Sequence, residues 1–288
     1  MANAGEVRRP IVAGQFYEGT REALLEQIEQ CYLGKLGPGA LPQVNAQGPR
    51  RVLGLVSPHA GYMFSGPTAA HGFAHLAADG LPEHFVVLGP CHRPVSGARV
   101  AIQTDGTWLT PLGEAAIDAD LAEALAGAWD EFALGAYHFG AEHSLEVQVP
   151  FLQHLYGDRL RIVPIMIVEQ STRLVRDLGS VLSRVLDGRD VVIVASTDLS
   201  HYVSPQAASR LDNSLIERMV GLDPEGLMDL ALSPRMSTCG YGPVAAMLHA
   251  CSAAGANEAE VLAYSHSGMV YPAAEVVGYV SVAVRKEG

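Results

Sequence analysis

The sequence predicts a layered α/β domain in which helices flank a largely parallel or mixed central sheet. Short runs rich in β-branched residues recur along the chain and alternate with helical segments, the order that builds a sheet covered on both faces. Of the 288 residues 49% are hydrophobic and only 17% charged, so the chain buries a substantial core and is not disordered. No Ser/Gly-rich linker or charge run interrupts the middle, and one domain over 1–288 is expected.

The first element is a helix over Arg21 to Leu33. The following "GKLGPGALPQVNAQGPRR", Gly34 to Arg51, cannot hold regular structure because proline and glycine punctuate it. Residues 1–50 therefore read as a helix and a Pro/Gly-rich loop packed on the core. "RVLGLVS" (Arg51 to Ser57) and "HFVVLGP" (His84 to Pro90) read as strands buried on both faces, with a helix over Pro67 to Ala78 between them. A helix from roughly Ser144 to Tyr156 leads to strand "LRIVPIMIV" (Leu160 to Val168), and one over Thr172 to Leu186 leads to "DVVIVAS" (Asp190 to Ser196). Helices over Gln206 to Val220 and Pro243 to Ala254 follow, and "VLAYS" and "VVGYVSVAV" close the chain as strands. No fixed-period repeat or low-complexity tract is visible.

Charge excludes some partners. With 19 basic against 31 acidic residues the net charge is -12, and the only cationic pairs are Arg8-Arg9 and Arg50-Arg51. Nucleic acid and anionic membrane are poor partners for such a surface. The first residues lack a signal-peptide core and no window reaches the length of a membrane span, so a soluble, cytoplasmic protein is expected. The 4 cysteines, Cys31, Cys91, Cys239 and Cys251, lack paired spacing and make no disulfide framework.

Three of the expected strands end in a polar turn carrying a histidine: "GLVSPHAGY" gives His59, "VVLGPCHRP" gives His92, and "VIVASTDLSHY" gives Asp198 and His201. Ligands of open α/β sheets bind beyond the carboxyl ends of the strands, so these turns should face one crevice. His71, His75, His154 and His249 fall in helices and His84 and His138 near element ends, where structural or surface roles are expected. Cys239, in "MSTCGYGPVAAML", precedes two glycines that allow a close approach and a proline suited to a first helical turn. It is a candidate metal ligand or nucleophile, with a small buried core thiol as the alternative. Cys91, beside His92, competes with it as a ligand, and Cys251 reads as core. Two histidines and a cysteine leave coordination positions open, which suits a catalytic rather than a structural metal. Glu142 and His143, at the mouth of the helix in "HFGAEHSLEVQVPFLQHL", are either groups that support the ligands or bind substrate, or helix caps.

Taken in order, "RRPIVAGQFYEG", "PHAGYMFSG", "LGPCHRP", "FGAEHSLEVQVPFL", "STDLSHY" and "TCGYGP" resemble the Memo family, whose prokaryotic members are called AmmeMemoRadiSam system protein B. The likeness covers nearly the whole chain and implies a fold similar to the class III extradiol dioxygenases, which cleave catechol rings with non-heme iron. It implies metal-site positions at His59, His92 and Cys239 and likens His201, with Asp198, to the dioxygenases' catalytic base. Tyr62, Glu142 and His143 fall in the same motifs as substrate-binding or supporting groups. Where those dioxygenases use a carboxylate as third ligand, this chain offers a thiolate, which shifts preference toward copper(I), zinc or a differently tuned iron and separates fold from reaction. The implied activity is a metal-dependent redox enzyme, an oxygenase or oxidase using iron(II) or copper on a small organic substrate. The alternatives are a zinc-dependent hydrolase and a phosphopeptide-binding module working with AMMECR-type and radical-SAM protein partners.

Overall fold

The computed structural model describes residues 5–93 and 95–287, so the ends of the expected domain and Pro94 of "LGPCHRP" lie outside the described residues. In chain order the first half comprises β1 (Val7–Arg8), α1 (Arg21–Leu33), β2 (Val52–Ser57), α2 (Tyr62–Asp79), β3 (His84–Pro90), β4 (Val100–Ile102), β5 (Thr107–Thr110), β6 (Gly113–Ile117), α3 (Ala119–Ala126) and β7 (Phe132–Leu134). The second half comprises α4 (Val149–Tyr156), β8 (Arg161–Ile167), α5 (Thr172–Leu186), β9 (Val191–Ser196), β10 (His201–Val203), α6 (Pro205–Val220), α7 (Pro224–Ala231), α8 (Tyr241–Ala253), β11 (Glu258–His266) and β12 (Val276–Arg285).

The four β-branched runs are the heart of one mixed sheet: β8, β3, β9 and β2 lie side by side and parallel, in that order, with β6 parallel to β8 on its other side. The residues of β8, β3, β9 and β2 are almost all buried, which explains why they read as continuous apolar runs rather than alternating ones. Beyond β2 the sheet continues antiparallel through β12, which also pairs with β10 and β11. Beyond β6 it continues through β5 to β1, while β4 pairs with β8 and β7. Helices α5 and α8 pack together on one face, with α8 against β2, β3 and β9; α2 covers β2, β11 and β12, and α1 packs on α2. Leu24, Ile28 and Tyr32 of α1 are fully buried. No helix among the described residues is long and apolar enough to cross a membrane.

Three elements differ from the sequence reading for physical reasons. Helix α2 starts at Tyr62 and carries Pro67 within it. The proline removes only the bond to the carbonyl of Met63, a residue 66% exposed, so the loss falls on the solvent side of the helix. The helix expected from Ser144 opens instead as a tight 3₁₀ turn over Glu146–Gln148, with regular α geometry only from Val149. The turn after β9 returns to the sheet as β10, which pairs antiparallel with β12. Between His92 and Glu142, and again at α7, the sequence reading assigned nothing, because strands of 3 to 5 residues and an 8-residue helix fall below the span over which periodicity is legible.

Candidate metal centre

Strands β3, β9 and β2 are adjacent and parallel, with β9 in the middle, so their carboxyl ends open on the same edge of the sheet. Neighbouring strands lie roughly 4.8 Å apart, and turns leaving three such strands cannot avoid one another. The ends are stitched together: the Thr197 N–H donates to the Ser57 carbonyl at 3.0 Å, and the His59 N–H to the Asp198 carboxylate at 2.8 Å.

His59 is 2% exposed and its Nδ1 lies 2.8 Å from the Ser196 hydroxyl. That hydroxyl donates its single proton to the Ser144 carbonyl at 2.7 Å and receives the Gln148 side-chain amide at 2.9 Å. It has no second proton to give, so the bond to His59 must run from the imidazole, and Nδ1 carries the hydrogen. The lone pair therefore sits on Nε2, which faces the Cys239 sulfur at 3.0 Å. Burial first, then the neighbouring His92 and His143, hold the His59 pKa well below the ordinary histidine value, so the ring is neutral.

His92 is oriented by another route. Its backbone N–H donates to one Glu142 oxygen at 2.5 Å, and its Nδ1 donates to the other at 3.0 Å. The Glu142 carboxylate also accepts the backbone N–H groups of His143 and Ser144, at 2.8 and 2.6 Å. Burial alone would push this carboxyl up; the bonds from His92 and the backbone outweigh it and hold it at about 2. The Nε2 of His92 is thus left as a free donor on a side chain that is 30% exposed. Although Glu142 lies within 4.8 Å of His92 and His143, its oxygens are occupied, and it acts as a buttress that fixes an imidazole rather than as a ligand.

The third donor arrives from the other side. Cys239 immediately precedes α8, and a Cβ on Gly240 would stand 2.2 Å from the Ser196 carbonyl, so only glycine lets the cysteine come down against β9. The close approach anticipated at these glycines is to the protein's own strand rather than to a ligand. The Asp198 N–H points at the sulfur at 3.4 Å, and the Gln170 side chain receives the Gly242 N–H and donates to the Cys239 carbonyl, both at 2.8 Å. Burial, reinforced by the Asp198 carboxylate, pushes the thiol pKa up, so a thiolate here requires a cation. The donor atoms of His59, His92 and Cys239 all lie within 4.8 Å of one another. Two imidazoles, each with Nδ1 held by an outer partner and Nε2 turned to the group, and one poised sulfur fit a transition metal with open positions. Cys91 is turned away, its thiol on the Arg93 carbonyl at 2.7 Å.

His201 is prepared in the same way but stands apart from this donor group. Its Nδ1 donates to the carbonyls of Leu199 and Ser237 at 2.8 and 2.9 Å, leaving Nε2 without a hydrogen-bond partner. No hydrogen bond joins His201 to Asp198: the Asp198 carboxylate takes the His59 N–H instead, and burial raises its pKa to about 6. Tyr202 follows with φ 57 and is 74% exposed, a left-handed residue at the lip of the site.

His143 stacks on His92 at 4.8 Å and meets His59 and Phe16 edge-on at 5.7 and 4.9 Å. Tyr62, expected as a substrate-binding or supporting group, lies in an aromatic cluster with Tyr17 and Phe151, its hydroxyl committed to the Val147 carbonyl at 2.7 Å. A buried tyrosine whose only polar atom is already bonded supports the loop rather than a ligand. Ser196, Gln148, Gln170 and Phe16 were not singled out in the sequence; the one legible signal was a glutamine among apolar residues in "EVQVPFL". The remaining helical and end-of-element histidines have other surroundings, such as His84 on Asp118 at 2.5 Å and His71 on the Leu36 carbonyl at 3.1 Å.

The family described as Memo-like protein matches residues 8–283. A MEMO1 family protein of Methanopyrus kandleri is 43% identical over 285 residues, covering 97% of this chain and 99% of that protein. One from Methanothermobacter thermautotrophicus is 41% identical over 276 residues, covering 95% and 98%. Among solved structures, an uncharacterized protein of Escherichia coli K12 is similar in fold, with a TM-score of 0.55 at 14% identity over 81% of this chain and all of that one. The match of sequence from Arg8 through β12, with the ordered strand-end motifs inside it, means that this chain belongs to the Memo family.

Proposed function

We propose that the chain is a metal-dependent redox enzyme, an oxygenase or oxidase using iron(II) or copper on a small organic substrate. One observation carries this reading: His59 and His92 are each fixed by an outer partner so that Nε2 is a free donor, and both face the sulfur of Cys239. Structural imidazoles gain nothing from such an arrangement, whereas a metal requires it. The metal, when bound, would supply a Lewis-acidic, redox-active centre with positions open to substrate and oxygen.

The chain's own residues then divide the work. His59, His92 and Cys239 hold the ion. Glu142 and Ser196 keep the two imidazoles in the binding tautomer. His201, through Nε2, takes a proton from a substrate hydroxyl and returns it, a role worth about 10²–10⁴-fold in rate. His143 and Phe16 wall one side of the cluster and limit the water that reaches it. The same donor set also suits zinc, and the metal found in anaerobically purified protein decides between the two chemistries. Iron or copper, with dioxygen uptake on reaction, supports the redox reading; zinc with no oxygen uptake replaces it with hydrolysis. His201→Ala is expected to keep full metal content, and loss of the metal in that variant would make His201 a ligand rather than a base.

A further inference from the structure

The motif "RRPIVAGQFYEG" lies far from the donors in sequence and, Phe16 aside, has no part in the chemistry above, yet its first buried side chain is built into the site's foundations. Arg8 is 3% exposed and sits in β1, over the Trp108 ring at 4.6 Å. Its Nη1 pairs with Glu146 at 2.5 Å, a contact in which both side chains are 1% exposed. Its Nη2 donates to the Glu142 carbonyl at 2.6 Å, and Nε and Nη2 both reach the Phe139 carbonyl at 3.4 Å. Glu146 in turn accepts the N–H groups of Ile11 and Val12, the nearest at 3.0 and 3.2 Å, and the Tyr17 hydroxyl at 2.5 Å. A buried guanidinium therefore grips the backbone of the same residue, Glu142, whose carboxylate sets the orientation of His92.

We propose that Arg8 is a positioning residue for the metal site, acting through Glu142. This rests on the reading of His59, His92 and Cys239 as ligands. The guanidinium is suited to the task because its planar fork serves a carboxylate and two carbonyls at once, which a lysine ammonium on one flexible stem cannot. A buried ion pair is a poor source of net stability, since desolvating both charges offsets their attraction. Its value here is geometric: it fixes the turn at Phe139 to Glu146, and so fixes which way the Glu142 carboxylate faces.

The test is a cobalt(II) titration of the full chain, reading affinity by competition and the sulfur-to-cobalt absorption of Cys239. Arg8→Lys keeps a cation beside Glu146 but loses the grip on the Glu142 carbonyl, and is expected to weaken cobalt binding about 10-fold, the lower end for outer-shell partners. In a Glu142→Gln background the same substitution is expected to change affinity less than about 2-fold, because the route is already cut. A Leu24→Ala variant, in the core of α1, reports what destabilisation alone does and is expected to bind as the wild type. Should Arg8→Lys not fold, the Arg8→Gln/Glu146→Gln pair removes both buried charges together and is expected to show the same weakening. Wild-type affinity in the Arg8 variants, or an equal loss in both Glu142 backgrounds, would overturn the positioning role and leave the metal site standing. Cobalt uptake by the wild type no better than by His59→Ala would overturn both.

Discussion

Ser196→Ala tests the tautomer argument at its narrowest point. The hydroxyl is fully buried and is the hub of three hydrogen bonds, from His59 Nδ1, from the Gln148 amide and to the Ser144 carbonyl. Alanine orphans two donors and one acceptor, and each such buried group costs about 1–3 kcal/mol if left unpaired. Gln148 keeps its second bond, to the Pro58 carbonyl at 2.9 Å, and the cavity left by one oxygen is small, so a net loss of about 2–4 kcal/mol is expected. The sharper consequence concerns the ligand: with nothing fixing the proton on Nδ1, His59 can present either nitrogen to the cluster. Metal affinity should fall about 10–100-fold, or about 1.4–2.8 kcal/mol. Thermal melting gives the first quantity and a competitive cobalt or zinc titration the second. A variant that melts early yet binds metal as tightly as the wild type would refute the claim that Ser196 sets the tautomer.

Two further predictions follow from other parts of the molecule. Cys239 should resist alkylation when metal is bound and become reactive when it is stripped, whereas Cys91 should be indifferent to metal; footprinting by mass spectrometry that shows the reverse pattern would assign the wrong sulfur. Asp212, fully buried, accepts the Ser200 N–H at 2.9 Å and the Tyr264 hydroxyl at 2.8 Å, and burial raises its pKa. A raised carboxyl contributes stability that is complete below the unfolded value, about 3.8–3.9, and is lost as pH rises through the folded value. Asp212→Asn cannot ionise, so its deficit against the wild type in denaturant melts should shrink as pH rises through that window; a deficit that grows would reverse the sign.

Much of this architecture was legible because the central strands carry it. The runs at β2, β3, β8 and β9 are buried on both faces, and a strand in that position can only be apolar throughout. That same arrangement put His59, His92 and Asp198 at one edge, so their convergence could be inferred from three strand ends. What the sequence did not reveal is the partnership among polar side chains. Nothing in the spacing of Ser196 and Gln148 says that one hydroxyl will fix the tautomer of His59. Nor does it say that Asp198 will turn to the His59 backbone and leave His201 to two carbonyls. Such choices depend on loop geometry settled only when β9, α8 and the turn before α4 pack together. Tyr62 shows the same gap: its motif placed it beside the histidine turn, but the first turn of α2 rotates it into the aromatic cluster.

The central claim is that His59, His92 and Cys239 together hold one metal ion. It is tested most directly by elemental analysis after dialysis, comparing the protein purified anaerobically from its native host with the His59→Ala/His92→Ala variant prepared in parallel. Close to one equivalent of iron or copper is expected in the wild type and only a trace in the variant, with both proteins folded, because a core of this size does not depend on a metal to hold it together. Equal metal content in the two proteins would contradict it.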